Sequence, residues 1–192
     1  MVSQAQSAYG FSDWLAAERE ALDSKHEYEA GQVYAMTGAS FNHNLIVSNL
    51  IRELGNRLRA QPCAVLGTDM RVRIHAADAA KYPDVLVVCG APQFHDDRRD
   101  LLLNPTLIIE VLSPSTEAYD RGGKFAVYRQ LPSLAEYALV AQDPVSVELY
   151  TRQPDGSWLY RFHGDLEDRV TLTSLDCVLP VRDIYGRVGE AS

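Results

Sequence analysis

Two acidic residues stand where apolar runs begin or end. Asp84 closes Tyr82-Pro83-Asp84 ahead of Val85-Leu86-Val87-Val88, and Glu110 lies inside Thr106-Leu107-Ile108-Ile109-Glu110-Val111-Leu112. Such runs of Val, Ile and Leu between turn residues read as buried strands, where an ionised carboxylate is costly unless its charge is compensated. A hard divalent cation such as Mg2+ is the natural compensator, because it takes carboxylates, waters and substrate phosphates as ligands. On neighbouring strands, Asp84 and Glu110 would offer oxygens to one ion. After a turn expected at 113–116, residues 120–129 (Asp-Arg-Gly-Gly-Lys-Phe-Ala-Val-Tyr-Arg) read as a helix. Phe125, Tyr128 and Leu131 give it an apolar face at helical spacing. Lys124 lies in its first turns, which lets it point back toward the strand end that carries Glu110.

The elements that must position these groups follow from pattern. Residues 1–10 read as a loose terminus, and Ser12 is placed to cap a first helix with Phe11, Leu15 and Leu22 on its apolar side. Ala30-Gly31 should turn a hairpin between 25–29 and 32–36. A long helix starts near Asn42, with Val47, Leu50, Ile51, Leu54 and Leu58 in one stripe and His43 one turn before Val47. Three central strands are expected at 64–73, 85–88 and 107–112. Further strands are expected at 136–142, 146–152, 158–162 and 170–172, with Asp155-Gly156 as a hairpin turn. Helix, hairpin, helix, strands, helix, strands argues for one domain over 1–192 of the α/β or α+β class, a mixed central sheet flanked by helices.

Composition agrees. The chain has 192 residues, 46% of them hydrophobic and 23% charged, which suits one globular core. No apolar run reaches the roughly 20 residues of a membrane span, and no secretory signal pattern is visible, so the expected address is the cytoplasm. Cys63, Cys89 and Cys177 are far apart and odd in number, which points to neither a disulfide framework nor a zinc site and leaves them as small buried hydrophobes. The formal net charge of -8 opposes loose attraction to a polyanion. A nucleic-acid enzyme would need local basic patches, for which Arg71 with Arg73 and the group Arg121, Lys124, Arg129 are candidates. Arg98-Arg99 among Asp96, Asp97 and Asp100 reads as a solvated face.

Glu27 and Glu29, two apart on a hairpin arm, share a face, and spacing alone does not choose between them. His43 carries a ring that titrates near neutrality and would suit proton transfer or phosphate orientation; a structural role at the helix start is the alternative.

The chain resembles the Uma-type restriction endonucleases, a branch of the PD-(D/E)XK nuclease superfamily, over most of residues 12–181. The resemblance rests on residues 27–36, on His43, on Tyr82-Pro83-Asp84-Val85, on residues 104–116 and on Asp120-Arg121-Gly122-Gly123-Lys124 with Tyr128. It implies a restriction-endonuclease-like core and metal-dependent hydrolysis of DNA. Asp84, Glu110 and the main-chain carbonyl of Val111 would bind Mg2+ (or Mn2+), Lys124 would stand beside the attacked phosphate, and Glu27 rather than Glu29 would orient water. One departure matters: the superfamily places a Lys two residues after the second acid, and Leu112 stands there. The resemblance implies that Lys124 substitutes for it, and leaves open a catalytically inactive module that binds nucleic acid or a protein. Two carboxylates acting on a glycosidic bond without metal would be a third class, which explains neither Lys124 nor the resemblance. Since duplex strands are antiparallel, a twofold homodimer is the economical way to cut both.

Overall fold

The computed structural model describes residues 9–36, 38–113 and 117–189. Pro114, Ser115 and Thr116 of the expected turn, and most of the expected loose terminus, lie outside them. Helix α1 (Phe11–Glu20) starts two residues earlier than Ser12 implied: Gly10 is its N-cap, and the Gly10 N–H donates to the Asp13 carboxylate at 3.2 Å. Trp14 and Leu15 are buried, while Leu22 lies beyond the helix and is 92% exposed. The expected hairpin is β1 (His26–Glu29) and β2 (Gln32–Ala35), with Ala30 and Gly31 both at positive φ. Ser40 caps α2 (Phe41–Arg57), its hydroxyl accepting from the His43 N–H at 3.1 Å.

The segment 64–73 is two strands rather than one. Strand β3 (Cys63–Gly67) and strand β4 (Arg71–Ile74) belong to different sheets, and the Met70 N–H donates to the Gly67 carbonyl across the turn between them. The turn residues Gly67-Thr68-Asp69 mark the change of sheet. Next come β5 (Ala79–Lys81), β6 (Val85–Cys89), the short β7 (Leu101–Leu102) and β8 (Leu107–Val111). After the site-bearing helical segment follow β9 (Glu136–Val140), β10 (Val147–Arg152), β11 (Trp158–His163), β12 (Arg169–Leu172), β13 (Cys177–Pro180) and α5 (Val181–Ile184).

The central sheet has six strands in the order β11-β10-β9-β8-β6-β3, antiparallel except for β8 beside β9. A second sheet, β2-β1-β5-β4-β7, and the β12–β13 pair complete the mixed α+β architecture. Alternation along β8 sorts the core into two sides. Leu107, Ile109 and Val111 pack with α2, β12, β13 and α5, whereas Ile108 and Leu112 pack with Val72, Ile74, Tyr128 and Tyr137. Glu110 is turned by the same period toward the second side. Helix α1 covers the second sheet through Trp14, Leu15, Tyr28, Ala80 and Leu101.

Cys63 and Cys89 are directly opposite each other on β3 and β6 and are joined by a disulfide, contrary to the expectation from spacing. A separation of 26 residues hides the fact that an antiparallel pairing brings them face to face. Cys177 is a buried free thiol, as expected. Among the described residues no helix is long and apolar enough to cross a membrane.

The helix expected from Asp120 is composite: α3 (Glu117–Tyr119), one π turn (Asp120–Lys124) and α4 (Phe125–Tyr128). A π turn inserts one extra residue and re-aims the side chains beyond it. Gly123 makes room for this, since a Cβ there would lie 2.4 Å from ring atoms of Tyr119. Gly123→Ala should therefore cost about 1–3 kcal/mol of stability in urea unfolding, with most of that penalty absent in a Tyr119→Ala background. Gly122→Ala, whose Cβ meets nothing within 4 Å, should be close to neutral. Equal effects at the two glycines would refute the packing account.

Candidate functional site

The π turn carries Lys124 over the end of β8. Its Nζ stands 3.3 Å from Glu110, 3.2 Å from Asp120 and 3.8 Å from Glu27. All four side chains are nearly enclosed, so these contacts are only weakly screened. The Tyr128 hydroxyl, one turn beyond Lys124, donates to Glu110 at 2.9 Å. The Tyr137 hydroxyl donates to the Asp120 carbonyl at 3.1 Å, which pins the π turn to β9.

Asp84 and His43 form the adjoining half. Asp84 Oδ2 accepts the Val111 N–H at 2.8 Å and lies 3.2 Å from His43 Nε2. An ionised carboxylate only accepts, so Nε2 donates here. That leaves Nδ1, which is buried and has no hydrogen-bond partner among the described residues. The structure thus brings together Glu27, Glu110 and Lys124 in one contact group, and Asp84, His43 and Val111 in another that reaches the first through the Glu110–Val111 strand end. Glu27 and Glu29 also separate: Glu27 is 6% exposed and accepts the Tyr82 N–H at 3.2 Å, while Glu29 sits nearer the surface.

Four neighbours have no place in the site expected from the sequence. Lys81 is fully buried, 3.3 Å from Glu27 and 2.8 Å from Glu29, and donates to the Tyr119 hydroxyl, which in turn donates to Glu29 at 2.6 Å. A charged residue in the run Ala79-Ala80-Lys81-Tyr82 is the same signal that singled out Asp84 and Glu110. Asp120 and Tyr128 bracket Lys124 at i−4 and i+4, a spacing that was available but was read only as a helix face.

The charges explain the ionisation. Burial pushes the Glu110 carboxyl up to about 8, with Asp84, Asp120 and Glu27 adding to the shift and Lys124 opposing it. Burial would lower Lys124, but Glu110, Glu27, Asp120 and Asp84 outweigh it and hold the ammonium above its ordinary range. Lys124 keeps its proton, and Glu110 is the acid that shares the deficit. Among the described residues no three His, Cys, Asp or Glu side chains are gathered as a ready metal cage. The donor set still suits a hard cation: its oxygens are carboxylates, and a carboxyl raised by neighbouring acids is short of positive charge. Such an ion would draw its remaining ligands from water and substrate.

The expected basic patch at Arg71 and Arg73 does not exist. They share a side but are buried, Arg71 paired with Asp100 at 2.6 Å and Arg73 with Asp78 at 2.8 Å. Arg121 is likewise engaged by Glu117 and Glu148. Arg98 and Arg99 are exposed, as expected for a solvated face.

A family model, Uma2, described as "Putative restriction endonuclease", matches residues 11–182. An uncharacterized Synechocystis protein, slr1290, is 39% identical over 177 residues, covering 91% of this chain and 88% of the relative. A second from that organism, sll1609, is 36% identical over 148 residues, covering 77% and 83%. Among solved structures, a "putative nuclease belonging to DUF820" from Anabaena variabilis aligns with a TM-score of 0.71 over 87% of this chain and 93% of that one. At 15% identity that likeness concerns the fold.

Glu110 gives a pH signature. Its folded pKa, about 8, lies above the ordinary 4.5, so between those values the unfolded chain ionises this carboxyl while the folded chain holds its proton. The contribution of Glu110 to stability is then fully present below pH 4.5 and is lost as pH rises through 8, by a few kcal/mol at most. Without divalent cations, Glu110→Gln should remove this fall, so that the mutant gains on wild type as pH rises in urea titrations. A wild-type-minus-mutant difference independent of pH would refute the shared deficit.

Proposed function

The chain belongs to the Uma2 family, and on that premise we propose that it is a metal-dependent endodeoxyribonuclease that hydrolyses DNA phosphodiester bonds. The observation that carries this reading is Lys124, whose ammonium meets Glu110 and Glu27 from the following helix although Leu112 occupies the superfamily's usual lysine position. Asp84, Glu110 and the Val111 main-chain carbonyl would hold Mg2+ (or Mn2+). When bound, the cation supplies Lewis acidity toward the phosphate and the attacking water.

The chain's own groups do the rest. Lys124 places a fixed positive charge beside the phosphate oxygens, which gain charge in the transition state, in a site dry enough for that charge to count. Glu27 accepts from the Tyr82 N–H, which fixes its carboxylate for orienting water. Tyr128 holds the Glu110 rotamer through its hydroxyl, and the ionised form of Glu110 would be favoured with a cation bound. His43 fixes Asp84 through Nε2, and its buried Nδ1, which has no partner among the described residues, is left as an acceptor for a water. Beside this site lies a groove of about 430 Å³ lined by Asn42, Leu112, Glu117, Arg121, Gln142 and Phe162, which offers room for a strand next to His43 and Val111. A twofold homodimer acting in the cytoplasm completes the proposal.

Plasmid nicking with saturating Mn2+ tests it. Lys124→Met should keep the fold and metal affinity but lose about a hundredfold or more in rate, and Glu27→Gln should lose far more than Glu29→Gln. Asp84→Ala and Glu110→Ala should abolish Mn2+ binding in calorimetry. A wild-type protein that cuts no form of DNA with any divalent ion would be the inactive module instead, and full-rate cleavage by Lys124→Met would remove Lys124 from the mechanism.

A further inference from the structure

Strand β2 is the outer strand of the second sheet, and Tyr34 on it stands opposite Glu27 in register. Tyr34 is 51% exposed and Tyr119 40% exposed, although both rings border the buried Lys81, with centroids 5.4 and 5.3 Å from its Nζ. Two half-exposed aromatic rings therefore flank the entrance to the carboxylate–lysine cluster. The electrostatics around them are poor for gripping a duplex. Among the described residues, Lys81 and Lys124 are set against Glu27, Glu29, Glu110 and Asp120, Asp84 lies beside His43, and Arg71, Arg73, Arg19 and Arg121 are all committed to carboxylates. Sequence-independent duplex affinity comes from Lys and Arg neutralising phosphates, whereas unpaired strands add to that charge term the stacking of their bases on aromatic side chains, about 1–3 kcal/mol per base.

We infer that the DNA strand enters unpaired, with its bases stacked on the Tyr34 and Tyr119 rings, so that the preferred substrate is single-stranded DNA or a locally opened duplex. This rests on the nuclease reading for its chemistry, but its binding test stands without catalysis. Tyr119 has a second duty, since its hydroxyl joins Glu29 and Lys81; the ring and the hydroxyl must be tested apart.

Fluorescence anisotropy in EDTA, with a labelled single-stranded DNA of about 12 nucleotides and the matching blunt duplex, reads the inference directly. The single strand should bind at least about tenfold more tightly than the duplex. Tyr34→Leu and Tyr119→Leu should each weaken single-strand binding by about five- to a hundredfold. Tyr119→Phe, which keeps the ring and loses the hydroxyl, should bind as wild type does. Equal affinity for the two DNA forms, or wild-type affinity in both Leu variants, would overturn the inference. Cleavage with Mn2+ separates the two claims. A protein that binds single strands selectively yet cuts nothing would overturn the nuclease reading and keep the stacking platform, whereas one that binds and cuts both forms equally would do the reverse.

Discussion

Everything at the site depends on two ammonium groups set among five carboxyl groups. A unit charge pair about 3.3 Å apart gains roughly 5 kcal/mol in a partly screened interior, and withdrawing each ion from water costs several. The two terms nearly cancel, so the ion pairs taken whole add little net stability. Their effect is to make Glu27, Glu110 and Asp120 tolerable where little solvent reaches. Glu110 shows how incomplete the compensation is, because it holds a proton near neutrality where a solvated Glu would not.

That arrangement needs both sheets. Glu110 and Asp84 come from the central sheet, Glu27, Glu29 and Lys81 from the second, and Lys124 from the π turn between β8 and β9. The turn after β3, at which the chain leaves one sheet and enters the other, is what sets β5 and β1 beside the end of β8. Tyr119, reaching from α3 to Glu29 and Lys81, ties the same helical segment to the second sheet. The rigid parts meet at the place where chemistry is proposed.

Much of this was legible in the chain. The apolar runs around Val85–Cys89 and Leu107–Val111, the stripe of α2 and the Ala30-Gly31 turn each follow from local periodicity or backbone preference, and the structure has them within a residue or two. So were the acids, because a carboxylate inside an apolar run is a local anomaly. What sequence could not give was pairing between distant strands. The Cys63–Cys89 bond, the burial of Arg71 and Arg73 by acids elsewhere, and the meeting of Lys81 with Glu27 all depend on which strands become neighbours. The π turn escaped for a different reason, since its cause is the Tyr119 ring lying across Gly123, a contact with no periodic trace.

Asp84 also has a part in the backbone ladder. The β6–β8 pairing runs from Val87↔Leu107 to Val85↔Ile109, and beyond it the Asp84 carboxylate accepts the N–H of Val111 where a main-chain carbonyl would otherwise serve. Charge and ladder are therefore separable properties of one side chain: an amide in its place would still accept that N–H, while Ala would leave the N–H without its partner. For a gene under drift, this makes the routes to an inactive descendant unequal. On the proposed nuclease reading, Asp84→Asn would let the chemistry lapse while the strand end stays closed, so a lineage would pass through it without first losing its fold.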